Sequence, residues 1–110
     1  MKQGEIWYAD LNPTEGSEQA GFRPVMIVSG NLANQYAPVV VCCPLTTKLK
    51  HYYGNPILKP NSINGLKKES EVMVIHIRSV SKTRLKKHVG SVSAEELKKC
   101  KETLNDLVTF

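Results

Sequence analysis

The sequence has no long apolar run; its longest unbroken apolar stretch is Val39 to Cys43. A membrane-spanning helix needs about 20 apolar residues, so none is expected. The first residues, Met1-Lys2-Gln3-Gly4-Glu5, lead straight into a strand-like segment. They carry neither the apolar stretch nor the small-residue cleavage site of a secretory leader, so the expectation is a mature, cytoplasmic chain. Cysteine is scarce and odd in number: Cys42, Cys43 and Cys100. Neighbouring strand residues point to opposite faces, so the adjacent pair does not suit a disulfide framework. The expectation is three buried small hydrophobes. No Cys-x-x-Cys or His-x-x-x-His spacing occurs, and neither a metal nor a cofactor is expected. A nucleophile elbow, a phosphate-cradling glycine loop and a paired-carboxylate motif are also missing.

What is there fits one domain over residues 1–110 with a modest core. Apolar segments recur along the whole length, which excludes disorder. Charge is unevenly placed within a net of +5: residues 1–47 carry −2, whereas residues 48–110 hold 13 Lys or Arg against 6 acids, a net of +7. A basic half of this kind attracts a polyanion, and nucleic acid is the natural one, although solvated lysines also serve solubility. Arg23 is the only cation between Lys2 and Lys48. Its place beside Pro24 and an apolar run marks a positioned guanidinium.

The pattern predicts strands at Ile6–Leu11, Val25–Ser29 and Val39–Cys43, the last stopped by Pro44. A polar loop covers residues 12–22, and Asn34–Ala37 reads as a short connection. A second polar loop covers residues 46–54, followed by an edge strand over Asn55–Lys59. Asn61–Lys68 is a turn-rich link through Asn64-Gly65. Glu71–Val80 alternates with period two, with Val72, Val74, His76 and Arg78 on one face. The period then changes. Ser93-Ala94-Glu95-Glu96 is a capping box, and Leu97, Cys100, Leu104, Leu107 and Val108 form a helical apolar stripe. Strands followed by one packed helix imply a small curled sheet or barrel with the helix on one side.

If the first three strands are neighbours, the two polar loops flank one groove. It offers Arg23, Thr46, Thr47, Lys48, Lys50, His51, Glu18, Tyr52 and Tyr53. Cations, hydroxyls and aromatics without metal ligands suit a flexible phosphodiester, whose bases stack on tyrosine or guanidinium. RNA brings its own nucleophile, the 2′-hydroxyl. The protein then has to align that group, assist proton transfer and stabilise charge on the phosphorane.

Gly4-Glu5-Ile6-Trp7, Leu11-Asn12-Pro13-Thr14 and the string Gly16-Ser17-Glu18-Gln19-Ala20-Gly21-Phe22-Arg23-Pro24-Val25 resemble the opening of the MazF/PemK (Kid) toxin family. Pro44-Leu45-Thr46-Thr47 resembles its second motif, and Ile77 to Val80, Arg84-Leu85 and Gly90 before a final helix match its tail. The resemblance implies a mainly β fold, an SH3-like barrel of the CcdB/MazF type with a C-terminal helix, acting as a homodimer. It implies a sequence-specific, metal-independent endoribonuclease that cuts single-stranded RNA to leave 2′,3′-cyclic phosphate and 5′-hydroxyl ends. It further implies a cognate antitoxin (MazE/PemI-like) whose disordered acidic tail occupies the RNA groove, and operator DNA bound through the toxin–antitoxin complex.

Carried over by position, Arg23 and Thr46 match the family's catalytic arginine and threonine. A guanidinium keeps its proton at any working pH, so it is a poor base. The resemblance therefore casts Arg23 as stabiliser of the phosphorane, with proton donation to the leaving 5′-oxygen as a second role, and Thr46 as a hydrogen-bonding hydroxyl. Glu18 and Gln19 fall on the gating loop, and Phe22, Thr47, Lys48, Lys50, His51, Tyr52, Tyr53, His76 and Arg78 complete the expected RNA-contacting set. The PemK branch's strand arginine and aspartate fall near Met73 and Ile75, and its loop histidine is replaced by Ser17, so that branch's acid–base scheme does not transfer.

Bland readings stand beside these. Arg23 also suits pinning the loop to a carboxylate such as Glu18, Thr46 a turn cap after Pro44, His51 and His88 plain exposure, and Trp7 and Tyr8 sheet packing or a dimer contact. Two other functions share the same sequence. A gyrase-directed toxin of this fold engages its target through the C-terminus, but the chain ends Leu107-Val108-Thr109-Phe110 without the terminal tryptophan of that mode. A non-catalytic nucleic-acid-binding or autoregulatory module would bind RNA without cutting it.

Overall fold

The computed structural model describes residues 1–12 and 21–109. The expected contacts of Glu18 and Gln19, and the replacement at Ser17, lie outside the described residues.

Among those residues seven strands form one sheet: β1 (Glu5–Asp10), β2 (Phe22–Ile27), β3 (Val39–Thr46), β4 (Ile57–Leu58), β5 (Ser70–Val72), β6 (Arg78–Ser81) and β7 (Leu85–Ser91). A short helix α1 (Asn31–Tyr36) joins β2 to β3, and α2 (Ala94–Val108) closes the chain. The strand order is β4-β5-β3-β2-β1-β7, with β6 paired beside the first half of β3. All pairings are antiparallel. The mainly β architecture with a C-terminal helix is the one the sequence led us to expect. No helix among the described residues is long and apolar enough to cross a membrane.

Each face of the sheet buries its own cluster. Ile6, Met26, Cys43 and Leu45 pack with Leu58, Val72 and Cys100 of α2 on one face. Ala9, Val25, Ile27, Cys42, Val80 and Leu85 pack on the other. Strand alternation therefore deals successive residues of β1, β2 and β3 to two cores. Both Cys42 and Cys43 are buried as free thiols, one per face, as adjacent strand positions require. Burial pushes the Cys42 thiol up to about 12, against the pull of the Arg78 charge. Cys43 is pushed up by its hydrogen bond with Cys100 and by burial, so these thiols stay protonated.

Four expectations need correction. Strand β3 does not stop at Pro44 but runs on to Thr46. The Pro44 carbonyl accepts from Met73 N at 2.9 Å, so the proline's missing N–H faces that same side. There β3 changes partner: Val39–Cys42 pair with β6, and Leu45–Thr46 with β5. The proline occupies the gap between two ladders and costs neither a hydrogen bond. Glu71–Val80 is accordingly not one strand. It is β5, a 3₁₀ turn over Val74–His76, and β6, since the chain opposite Pro44 has no ladder to follow. Residues 31–36 are a helix that the sequence hides, being too short for periodicity. Its buried Asn34 donates through Nδ2 to the Ser29 carbonyl at 2.9 Å. Finally, β7 was not foreseen, because its exposed Lys86, Lys87 and His88 mask the strand pattern.

In α2 the capping box forms as expected: Ser93 Oγ accepts from Glu96 N at 3.1 Å, and Ser93 N donates to Glu96 Oε1 at 2.8 Å. The apolar stripe holds at Leu97, Cys100 and Leu104 but not at Leu107 and Val108, which are exposed. Thr103 is buried, and its hydroxyl donates to the carbonyl of Gly54.

Candidate active site

Strands β2 and β3 pair through Val25↔Pro44, Met26↔Cys43 and Ile27↔Cys42. Continuing that register by two residues sets Arg23 opposite Thr46, but the ladder has ended there. Pro24 has no N–H to extend it. The strands part, and the opening is a cavity of about 420 Å³. Its wall includes Phe22, Arg23, Thr46, Thr47, Lys48 and Lys50, six of the side chains singled out from sequence. Pro24 and Leu45 complete the lining.

The half-buried Arg23 donates through one guanidinium nitrogen to the Leu45 carbonyl at 3.4 Å. Thr46 is buried, and its Oγ1 accepts from Lys48 N at 3.1 Å. With an acceptor site so occupied, the hydroxyl proton is what Thr46 can offer to an anion. Lys48 and Lys50 stand exposed at the rim. Among the described residues the lining holds three cations and no acid, a field suited to a phosphodiester.

A residue not foreseen holds this wall in place. Glu71 on β5 is fully buried, and its carboxylate accepts from Lys50 N at 2.6 Å, His51 N at 2.8 Å and Tyr52 N at 3.1 Å. Asn55 Nδ2 adds a fourth bond at 2.7 Å. Burial alone raises a carboxyl's pKa, but the bonds from Asn55, His51, Lys50 and Tyr52 outweigh it and hold Glu71 below the usual range. The loop bends at His51, whose φ of 53° is left-handed. It ends at Gly54, where a Cβ would meet Thr103 Oγ1 at 2.8 Å. The sequence offered one signal for Glu71, an acid in an alternating apolar run.

The stem of the other loop is also fixed. Arg84 donates to the carbonyls of Asp10 and Asn12, and Gly21 N donates to Asn12 Oδ1 at 3.0 Å. The remaining expected contacts are elsewhere. His51, Tyr52 and Tyr53 are exposed on the Glu71-held loop but do not line the cavity. His76 sits in the 3₁₀ turn that packs on α2, and Arg78 is half-buried on β6 opposite Cys42. Trp7 packs against the second core and donates through Nε1 to Glu5 Oε1 at 2.9 Å, which is the packing role.

This arrangement has relatives. Residues 2–108 match the family described as the PemK-like, MazF-like toxin of type II toxin–antitoxin system. The chain belongs to that family. This MazF-like toxin is 31% identical over 106 residues to "Endoribonuclease MazF" of Staphylococcus saprophyticus, covering 96% of the chain and 88% of the relative. It is 35% identical over 109 residues to "Endoribonuclease MazF9" of Mycobacterium tuberculosis, covering 94% and 92%. Among solved structures, MazF of Deinococcus radiodurans (Form-I) superposes with a TM-score of 0.86 at 25% identity, over 98% of this chain and 96% of that one. A mycobacterial endoribonuclease in complex with its cognate antitoxin superposes with a TM-score of 0.80 at 22% identity, over 100% and 98%, and shares the fold.

Proposed function

We propose that this MazF-like toxin is an endoribonuclease that cleaves single-stranded RNA at short sequences, without a metal ion, from the cavity between β2 and β3. The RNA 2′-hydroxyl attacks the adjacent phosphorus in line. The O2′–P bond forms as the P–O5′ bond breaks, giving a 2′,3′-cyclic phosphate and a 5′-hydroxyl. Charge accumulates on the non-bridging oxygens, and the Arg23 guanidinium and the Thr46 hydroxyl stabilise it there. The 2′ proton passes to solvent. The leaving 5′-oxygen takes up a proton, for which Arg23 and the two rim lysines are the donors the lining offers.

The observation that carries this reading is the meeting of Arg23 and Thr46, 23 positions apart in the chain, at one basic cavity. The curated relatives' names supply the reaction class. Incubation with a long RNA in EDTA, with mapping of the cut ends, tests it. Cleavage with cyclic phosphate ends is expected, falling about 10²–10³-fold in folded Arg23→Ala and Thr46→Ala variants. RNA affinity without cleavage across varied sequences would make the chain a binding module instead.

The partners follow from the same reading: a homodimer in the cytoplasm, an acidic antitoxin segment competing with RNA for the basic cavity, and operator DNA bound by the toxin–antitoxin complex. Exposed Leu32 and Tyr36 on α1 and Val39 at the start of β3 supply an apolar surface for the second protomer.

A further inference from the structure

A second cavity, of about 550 Å³, shares Pro24 and Thr47 with the first. Lys67, Lys68, Lys87, His88 and Tyr8 line it, and no acidic side chain does so among the described residues. Its lysines come from distant parts of the chain. Lys87 is on β7, directly opposite Tyr8 of β1, which is itself opposite Pro24 of β2. Directly opposite residues share a face, so Lys87, Tyr8 and Pro24 form a row about 10 Å across three strands that ends at the first cavity. Lys67 and Lys68 arrive beside Lys87 because the preceding link crosses β7 closely. At Gly90 an added Cβ would lie 2.4 Å from the Asn64 backbone, and at Gly65 2.2 Å from the Val89 carbonyl oxygen. Among the described residues none of the three ammonium groups is engaged by a carboxylate.

Aromatic rings mark the boundary between the two cavities. Phe22 lines the first and Tyr8 the second, and their rings stack with centroids 6.1 Å apart and an interplanar angle of 19°. They are 56% and 40% exposed, so part of each ring remains open to a ligand. A stacking surface followed by a basic cavity is the arrangement that tracks a single strand: a base on the ring, phosphates on the cations.

We infer that this second cavity is an RNA-backbone subsite, in which Lys67, Lys68 and Lys87 hold phosphates of the strand beyond the scissile one, with a base on the Phe22–Tyr8 pair. The inference rests on the proposed RNA cleavage at the first cavity. It predicts affinity that grows with RNA length independently of sequence, because phosphate contacts carry no base information.

The test uses oligonucleotides carrying a 2′-deoxy substitution at the cleavage position, extended stepwise on either side. Binding is followed by fluorescence anisotropy at several salt concentrations. The wild type should gain affinity on extension on one side only. The variant Lys67→Ala/Lys68→Ala/Lys87→Ala should lose that gain, and its log–log salt slope should fall by about 2, at about 0.7 per phosphate contact. Its cleavage rate on a short RNA should match that of the wild type. A charge-matched control, Lys98→Ala/Lys99→Ala/Lys101→Ala on α2, should retain the gain. Equal length dependence and equal slopes in all three proteins would overturn the subsite. Unchanged RNA binding with weakened binding of a poly-glutamate peptide would also overturn it, assigning the cavity to an acidic protein partner. A wild type that binds with the lysine-dependent gain but cleaves no RNA would leave the subsite standing and remove the cleavage reading.

Discussion

Arg23 and Thr46 are each ordinary in their own strands. The guanidinium is partly occupied by the Leu45 carbonyl, and the hydroxyl accepts from Lys48 N. The turn-capping role read for Thr46 is thus partly filled while both groups line the cavity, and the pinning of Arg23 to Glu18 lies outside the described residues. Glu71 has a different character. Its four hydrogen bonds go to one loop, so it is a positioning residue for Lys50 and not a contact for substrate. Its carboxyl titrates lower in the folded protein than in the unfolded chain, so the unfolded state binds the proton first as pH falls. The stabilisation is therefore full above the unfolded value and is lost as pH drops through the folded one. Glu71→Gln should cost about 1–3 kcal/mol at neutral pH, and the variant should lose less stability than the wild type on acidification. Urea melts at several pH values check both. In cleavage assays the same variant should raise KM more than it lowers kcat, since the loop's lysine is displaced while Arg23 and Thr46 stay in place.

At the scale of elements, two prolines determine where the sheet opens. Pro24 ends the β2–β3 ladder, and Pro44 separates the β5 and β6 ladders on the far side of β3. Pro24 lines the cavity itself, and the loop after β3 supplies Thr47, Lys48 and Lys50 to its wall. Elsewhere close approach does the positioning. Gly90→Ala would push a Cβ to 2.4 Å from the Asn64 backbone, and backbone cannot move aside as a side chain tip can. We expect a loss of about 2 kcal/mol from such overpacking, read as a lower thermal midpoint. Lys67 and Lys68 should shift with the link, so RNA affinity should weaken even at temperatures where the variant is fully folded.

For the molecule as a whole, the basic cavities and the apolar surface of α1 lie on different elements. Six of the fifteen Lys and Arg side chains line the two cavities, whereas exposed Leu32, Tyr36 and Val39 belong to α1 and the start of β3. Association through the apolar surface would leave the cavities accessible. Sedimentation at micromolar concentration should give twice the chain mass, and Leu32→Glu/Tyr36→Glu should return it to the monomer without loss of helix or sheet signal. A wild type that sediments as a monomer would remove the homodimer.

The sequence alone determined what local chemistry can encode. The capping box and the first turns of α2 follow from Ser93, Glu96 and the stripe to Leu104, because helix ends and helix faces are set within a few residues. The first strands were legible from runs of aromatic and aliphatic strand formers, and Arg23 and Thr46, which line one cavity, were singled out by the motif strings that carry the family resemblance. Other features depended on partners remote in the chain. Nothing near Pro44 says that β3 will change neighbours there, so the break in residues 71–80 was invisible. Nor does a glutamate in an apolar run reveal that three backbone N–H groups some twenty residues earlier will converge on it. Lys67, Lys68 and Lys87 read as solvated charge until the sheet set β7 beside the link through Gly65. Strand neighbours and loop crossings are contacts between distant segments, whose identity is decided by how the whole chain packs.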